Sequence, residues 1–519
     1  MSTNDLTRLA ATFDHKPCTR QDQRVRRTLK VLATLCLVAT VSGCVVGPDY
    51  QSPLINMPSN WGNKKQQKPA KPAELAEWWK RLNDPLLNAF VEEAVAGNLD
   101  VATAKARVRE ARATYRQSVG TLLPSLDGSA SATRSRTGSS VSGTASTSSQ
   151  FQSGLDASWE IDLFGANRRS VEAAKYGMDA SEEDLRNTLV TLIGDVTTNY
   201  VEARGYQARA ALARRTAASQ RETATLTRNK FEAGASSAVD LSNASGQAAS
   251  TEANIPDLEA AYAASVHRLS VLTGRAPAAL AERMKKVKAI PKPKLPMPTG
   301  IPADILLSRP DVRLAERQYA QYTAKVGQAE AARYPGLSLT GDIATSATKI
   351  GDLGKSSSIS WSFGPTLTVP IFNGGQLKAA VEMAQAQRDQ YFIAYRSSIL
   401  TGLEEVENAI VSLAQERIKS SKLATSARHY REAASLGRSL YQSGTQSFLD
   451  LLEAQRSLYS AEDSLIASQV LITTDYIALN KALGGGWSGA IEVSKPEVVD
   501  VNTGPRLPKR NAVATAAAN

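Results

Sequence analysis

The chain has 519 residues, 42% hydrophobic but only 6% aromatic, with 61 Lys and Arg against 50 Asp and Glu and a formal net charge of +11. So few aromatics argue against one large globular core, while long stretches rich in Ala, Ser and Thr suit helices packed closely through small side chains. Lys and Arg alternate with Asp and Glu along helical faces instead of forming a stripe, so the excess charge reads as a solvated surface and no nucleic-acid partner is expected. Cys18, Cys36 and Cys44 are the three cysteines, which leaves the body without a disulfide or a cysteine metal site.

Arg24, Arg26, Arg27 and Lys30 precede an apolar run, Val31 to Val41, too short to span a bilayer as a helix and laid out like an export signal. The small residues that follow, Val41-Ser42-Gly43-Cys44, resemble the bacterial lipobox, which implies a signal peptide over 1–43 and lipidation of Cys44. Val45 is not the acidic residue that, in the lipoproteins it resembles, retains a protein at the inner membrane; the outer membrane is the expected destination. Residues 44–84 then read as a tether, its Val46 to Ala73 part rich in Pro, Asn, Gln and Lys. No later stretch has the 18 or so consecutive apolar residues of a transmembrane helix.

Helical periodicity begins at Asp84-Pro85, a cap followed by proline at the first helical position, and the pattern predicts one helix to Leu122. Strands follow over 124–164, then a long helix over 166–231 and another over 239–272. After a proline-rich linker, 275–300, the same order recurs in 301–485: helix to Arg333, strands over 335–372, a long helix over 376–441 and a last helix over 448–483. Residues 486–519 form a tail. The two halves are a duplication: Asn229 to Leu241 (NKFEAGASSAVDL) aligns with Ser439 to Leu451 (SLYQSGTQSFLDL), about 210 residues apart.

Each long helix would reach about 100 Å at 1.5 Å per residue, far beyond the needs of a globular domain. Leu403, Val406, Ile410 and Leu413 have the spacing of a coiled-coil seam. The strands alternate strictly. Phe151, Leu155, Ala157, Trp159 and Ile161 face one way and Gln152, Asp156, Ser158 and Glu160 the other; Ile359, Trp361, Phe363, Leu367 and Val369 oppose Ser360, Ser362, Thr366 and Thr368. An oily face and a wet face fit a membrane barrel strand or a half-buried soluble sheet equally. The Ser/Thr/Gly-rich loops Thr133 to Ser149 and Ser346 to Ser358 favour the barrel. Four strands cannot close one, so copies must combine: two would supply eight strands and three would supply twelve.

Several motifs stand together: Cys44-Val45-Val46-Gly47-Pro48-Asp49-Tyr50, Leu307-Ser308-Arg309-Pro310-Asp311-Val312, Pro370-Ile371-Phe372-Asn373-Gly374-Gly375 and Leu451-Leu452-Glu453-Ala454-Gln455-Arg456-Ser457-Leu458. With them the chain resembles the TolC-like outer-membrane factors, exit ducts of tripartite efflux pumps, and most closely the lipidated factors that serve resistance-nodulation-division pumps. The resemblance implies an internally duplicated α+β membrane protein. Each chain of a homotrimer gives four strands to a twelve-stranded β-barrel in outer-membrane lipid, over a long antiparallel coiled-coil α-barrel in the periplasm. It also implies a periplasmic adaptor and an inner-membrane transporter as partners.

In that family the periplasmic gate lies where each long helix turns into the next. The resemblance places an acidic ring at Asp450 and Glu453 beside an apolar constriction at Leu449, and a coil-closing pair at Asp240 and Tyr441. Gln446 stands where some members have a gate-locking arginine, and Arg456 is a substitute cation. The helical tips at Gly234, Ala235 and Ser236 and at Gly444, Thr445 and Gln446 are the expected adaptor contacts. Simpler roles exist beside these: a glycine past a helix end is a C-cap, and an Asp in a first turn stabilises the helix N-terminus. Carboxylates gathered by threefold symmetry would repel and rise in pKa, or bind cations.

Catalytic signals are weak. His267 and His429 lie on predicted helices beside Arg268 and Arg428, His15 falls in the leader, and neither a phosphate loop, a His/Cys metal spacing nor a nucleophile elbow is present. A passive duct without cofactor or metal is expected, its cargo chosen by the pump. A structural or adhesive trimer, a soluble periplasmic helical protein and a protein-secretion duct are the other readings.

Overall fold

The computed structural model describes residues 45–55, 75–138, 145–293, 303–489 and 491–495. The expected signal segment and Cys44 lie outside them, as do 56–74 of the tether, 294–302 at the linker and 496–519 of the tail. The described residues divide into two compact units, one holding residues 45–49 with Val119–Ser170 and Ala324–Glu382, the other holding the rest.

The first unit carries a four-stranded antiparallel sheet in the order β1 (Ser125–Thr137), β2 (Ser146–Ile161), β3 (Gly336–Ala347), β4 (Ile359–Thr368). Each repeat supplies one hairpin, and the β2–β3 pairing, Phe151 opposite Ala347 down to Ile161 opposite Leu337, joins the repeats. The register puts Leu155, Ile343 and Trp361 on one rung and Ala157, Gly341 and Phe363 on the next, so every strand's apolar residues share a face. That face is uncovered: Trp361 is 75% exposed, and Phe363, Leu367 and Leu126 are exposed with it. The strands run further into the loops than the sequence pattern predicts, leaving 138–145 and 348–358 as the connections, the latter with two short 3-10 turns. Ser and Thr have β-branched or small side chains that a pleated edge accepts, and Ser135 and Ser148 bond across it at 3.1 Å.

A strap precedes this sheet in sequence. Val46 donates its amide to the Phe164 carbonyl (3.1 Å), and the buried Arg169 guanidinium reaches the carbonyls of Val46 and Gly47 (3.2 Å each) and the Asp49 carboxylate (2.7 Å). Gly47, at φ +89, lies directly on Gly327, where a Cβ would collide with backbone. What reads as an extended tether is therefore seated over its first described residues.

The second unit is helical. Asp84 caps α1 (Pro85–Gly97), accepting from the Leu86 amide at 3.0 Å with Pro85 at the first position. The single helix expected to Leu122 is in fact two, because Asn98 leaves helical geometry and its side chain caps α2 (Leu99–Gly120) through the Asp100 and Val101 amides. Its Nδ2 donates to the Leu272 carbonyl at the end of α4 (Ala238–Leu272). The long helices are α3 (Ala166–Glu232) and α6 (Gln376–Ser443), with α5 (Pro310–Ala331) and α7 (Phe448–Ala482) completing the second repeat. Val406 and Leu413 of the predicted seam are buried against Leu479, Ala482 and Leu483 near the end of α7. The start of α5 is pinned by Arg309, which binds Asp311 (2.7 Å), Glu405 (2.8 Å) and the Ala482 carbonyl (2.6 Å).

The largest core gathers α1, α2, the middle of α3, and parts of α4 and α7. It includes Trp78 and Trp79, both fully buried in a short turn within the stretch assigned to the tether, with Trp487 stacked on Trp79 at 6.3 Å. Arg204, also fully buried, donates to Gln207 (2.7 Å) and the Lys286 carbonyl (2.8 Å), and the neighbouring Tyr200 hydroxyl donates to Asp84 (2.5 Å). These bonds seat the described start of the inter-repeat linker on α3.

Candidate functional site at the helical tips

Both long helices end in the same way. The Ala235 amide returns to the Lys230 carbonyl (2.7 Å) and the Gly234 amide to that of Phe231 (2.9 Å); the Thr445 amide returns to Leu440 (3.0 Å) and the Gly444 amide to Tyr441 (3.2 Å). This double return requires a left-handed residue, supplied by Gly234 at φ +75 and Gly444 at φ +81. Ser237 then caps α4, its hydroxyl accepting from the Asp240 amide at 3.0 Å while the Asp240 carboxylate accepts from the Ser237 amide and the Ser236 hydroxyl. Ser447 caps α7, accepting from the Asp450 amide at 3.3 Å and donating to the Asp450 carboxylate at 2.7 Å. Slight burial pushes the Asp240 carboxyl up, but the hydrogen bonds from Ser237 and Ser236 outweigh it and hold it below the usual range.

The tips differ in what covers them. Tyr441 and Phe448 form an edge-to-face pair at 5.9 Å, buried with Leu451, Leu452 and Ala244 and flanked by Ala224 and Leu226 of α3. The Tyr441 hydroxyl meets Thr227 Oγ1 at 3.0 Å; Lys230 donates to the Tyr441 carbonyl and stands over its ring. In the first repeat the same two positions are Phe231 and Ala238, both exposed. One tip is packed and its twin is bare.

The expected gate residues occupy one side of the first turns of α7. Leu449 is 60% exposed, and Asp450 and Glu453 are exposed beside it; Glu453 accepts from Ser457 at 3.3 Å. Arg456, also exposed, donates instead to Gln247 Oε1 of α4 at 2.6 Å. Asp240 and Tyr441 are not brought together within one chain, since Asp240 turns to Ser236 and Ser237, and Tyr441 to Thr227. Gln446 is half-buried and its side-chain oxygen has no hydrogen-bond partner. Ala235, Ser236 and Thr445 lie at the turns, Ala235 and Thr445 exposed. Sequence reading missed Thr227, Lys230 and Gln247. Lys230 leaves one trace, standing where the second repeat has Leu440. Among the described residues no His, Cys, Asp and Glu cluster has a metal-binding arrangement, and no helix is long and apolar enough to cross a membrane.

A duplicated helical chain with capped tips and an open, apolar-faced four-stranded sheet has the plan of a TolC-like outer-membrane channel subunit. The chain belongs to the outer membrane efflux protein family, which it matches over residues 90–275 and 301–485. It is 36% identical over 449 residues to nodulation protein T of Rhizobium leguminosarum bv. trifolii, covering 86% of this chain and 96% of that one. It is 34% identical to the solvent efflux pump outer membrane protein SrpC of Pseudomonas putida, covering 89% and 98%. Among solved structures, the outer-membrane channel OprN superposes with a TM-score of 0.77 at 32% identity, covering 86% of this chain and all of that one.

Proposed function

We propose that three copies of this chain form the outer-membrane exit duct of a tripartite efflux system, conducting small molecules passively from a periplasmic adaptor and an inner-membrane transporter, of the resistance-nodulation-division type, to the exterior. The observation that carries this is the sheet: its apolar face is exposed and, among the described residues, β1 and β4 each have one neighbour, so one chain leaves two open edges that further copies would pair. Twelve strands from three chains close that barrel. Cys44 is its lipidation site.

The gate reading assigns Leu449 the apolar constriction and Asp450 and Glu453 an acidic ring, both on the exposed side of α7, with Tyr441 and Arg456 holding neighbouring helices and Asp240 fixing the turn into α4. The tips at Gly234, Ala235, Ser236, Gly444, Thr445 and Gln446 meet the adaptor. Planar-bilayer recording tests it: the wild-type protein conducts weakly, and Asp450→Ala with Glu453→Ala raises the conductance. A variant that inserts as a trimer yet stays as closed as the wild type would overturn the gate assignment, and a trimer that never conducts would overturn the duct.

A further inference from the structure

On the apolar face of the sheet, β2 presents Ile161, Trp159, Ala157, Leu155, Ser153 and Phe151 in turn. From Ile161 to Phe151, ten residues along a strand tilted by about 40° climb roughly 26 Å, close to the ~25 Å apolar band of an outer-membrane barrel. The band therefore ends at Phe151, which pairs with Ala132 on β1. The next two positions of β1 on that same face are Arg134, opposite Ser149, and Arg136, opposite Thr147. Both are exposed.

Their own end of the hairpin carries no compensating acid. From Gly128 to Leu155 the sequence carries these two arginines and no other charged residue. The opposite face at this height is neutral, with Thr133, Ser135 and Thr137, so the charge is confined to the side that continues the apolar band. Their Cα atoms are one strand repeat, about 7 Å, apart, and each side chain carries a planar fork of N–H donors suited to phosphate oxygens.

We propose that Arg134 and Arg136 form a binding surface for the phosphorylated headgroup of a lipid in the outer leaflet, seated against the acyl-facing side of the same hairpin. This rests on the barrel reading above, because it needs the apolar face to meet lipid. The occupant is a lipid, since the cations continue an apolar surface where acyl chains would lie, and a free phosphate would make no use of that surface.

Native mass measurement on the full-length protein tests it, with bis-phosphorylated lipid A and the same lipid dephosphorylated as probes. The wild type should retain the phosphorylated lipid about tenfold better, Arg134→Ser with Arg136→Ser should lose that preference, and Arg134→Lys with Arg136→Lys should keep part of it. A Ser variant that keeps the full preference, or a wild type that has none, overturns the proposal. Conductance of the same preparations reads the duct separately: a conducting protein without lipid preference sinks the headgroup site alone, and a non-conducting one that prefers phosphorylated lipid sinks the duct and supports the headgroup site.

Discussion

The Tyr441 hydroxyl and Thr227 Oγ1 lie 3.0 Å apart across two long helices, with the Lys230 ammonium 4.4 Å from the centre of the tyrosine ring. This contact ties the last turn of α6 to α3 beside the proposed constriction. Thr227 also donates to the Thr223 carbonyl at 2.9 Å, so it stays satisfied when the phenol is removed. Tyr441→Phe should cost about 1 kcal/mol and Tyr441→Ala about 3–5 kcal/mol, the latter through loss of a packed ring. Conductance in planar bilayers should rise in that order; equal conductance in all three proteins would separate this contact from gating.

The two glycine turns share a backbone but not a neighbourhood. A Cβ at Gly234 or Gly444 meets no atom within 4 Å, so Ala at either costs only left-handed strain, about 1–2 kcal/mol. Hydrogen exchange should show similar loosening of the two turns. Because only the second tip carries the buried Tyr441–Phe448 pair, Gly444→Ala should change conductance and Gly234→Ala should leave it near wild type.

Asp240 supplies a pH dependence. Its folded pKa is depressed, so its contribution to the start of α4 is fully present above the unfolded value of about 3.9 and is lost as pH falls through the folded value. The protection of the amides that open α4, relative to their intrinsic exchange at each pH, should fall in acid below about pH 4. Ser237→Ala should shrink that acid-dependent part while removing roughly 1 kcal/mol of cap at neutral pH.

Arg209 of α3 grips Asp463 of α7 with two bonds, 2.7 and 2.9 Å, and this hydrogen bonding raises the arginine's pKa against the opposing effect of burial. A fork–fork pair at a half-buried site should show a coupling of about 1 kcal/mol in a double-mutant cycle of Arg209→Ala and Asp463→Ala, read by thermal or denaturant unfolding. The exposed pairs Arg221–Glu252 and Arg438–Glu222 should each give less.

Gly47 presses on Gly327, and its backbone is left-handed. Gly47→Ala therefore cannot keep the strap in place, and limited proteolysis should cut within residues 45–55 several-fold faster than in the wild type. An unchanged cleavage rate would mean that the strap tolerates a methyl group there.

Much of this fold is legible because it is local. Gly234 and Gly444 stop the long helices, Ser237 and Ser447 start the next ones, and strict alternation marks the strands; the helix ends fall within two residues of the pattern. What escaped depends on contacts distant in sequence. Asn98 sits inside an amphipathic pattern, and only its bond to the Leu272 carbonyl and the close approach of Gly97 to Gly274 explain a break there. Trp78 and Trp79 look like part of a polar tether until α7 and Trp487 close over them. At the tips, Asp240 and Asp450 read as carboxylates stabilising a helix N-terminus, but the partners Thr227, Lys230 and Gln247 lie on other helices and follow no local rule.

The strap through Val46, Gly47 and Asp49 changes what an N-terminal lipid would accomplish. Consecutive Cα atoms are about 3.8 Å apart, so acyl chains attached at Cys44 would hang from a point that can stray only one peptide unit from the described backbone. Such an attachment would be a mooring post and not a leash, because the segment that follows it is held by Arg169.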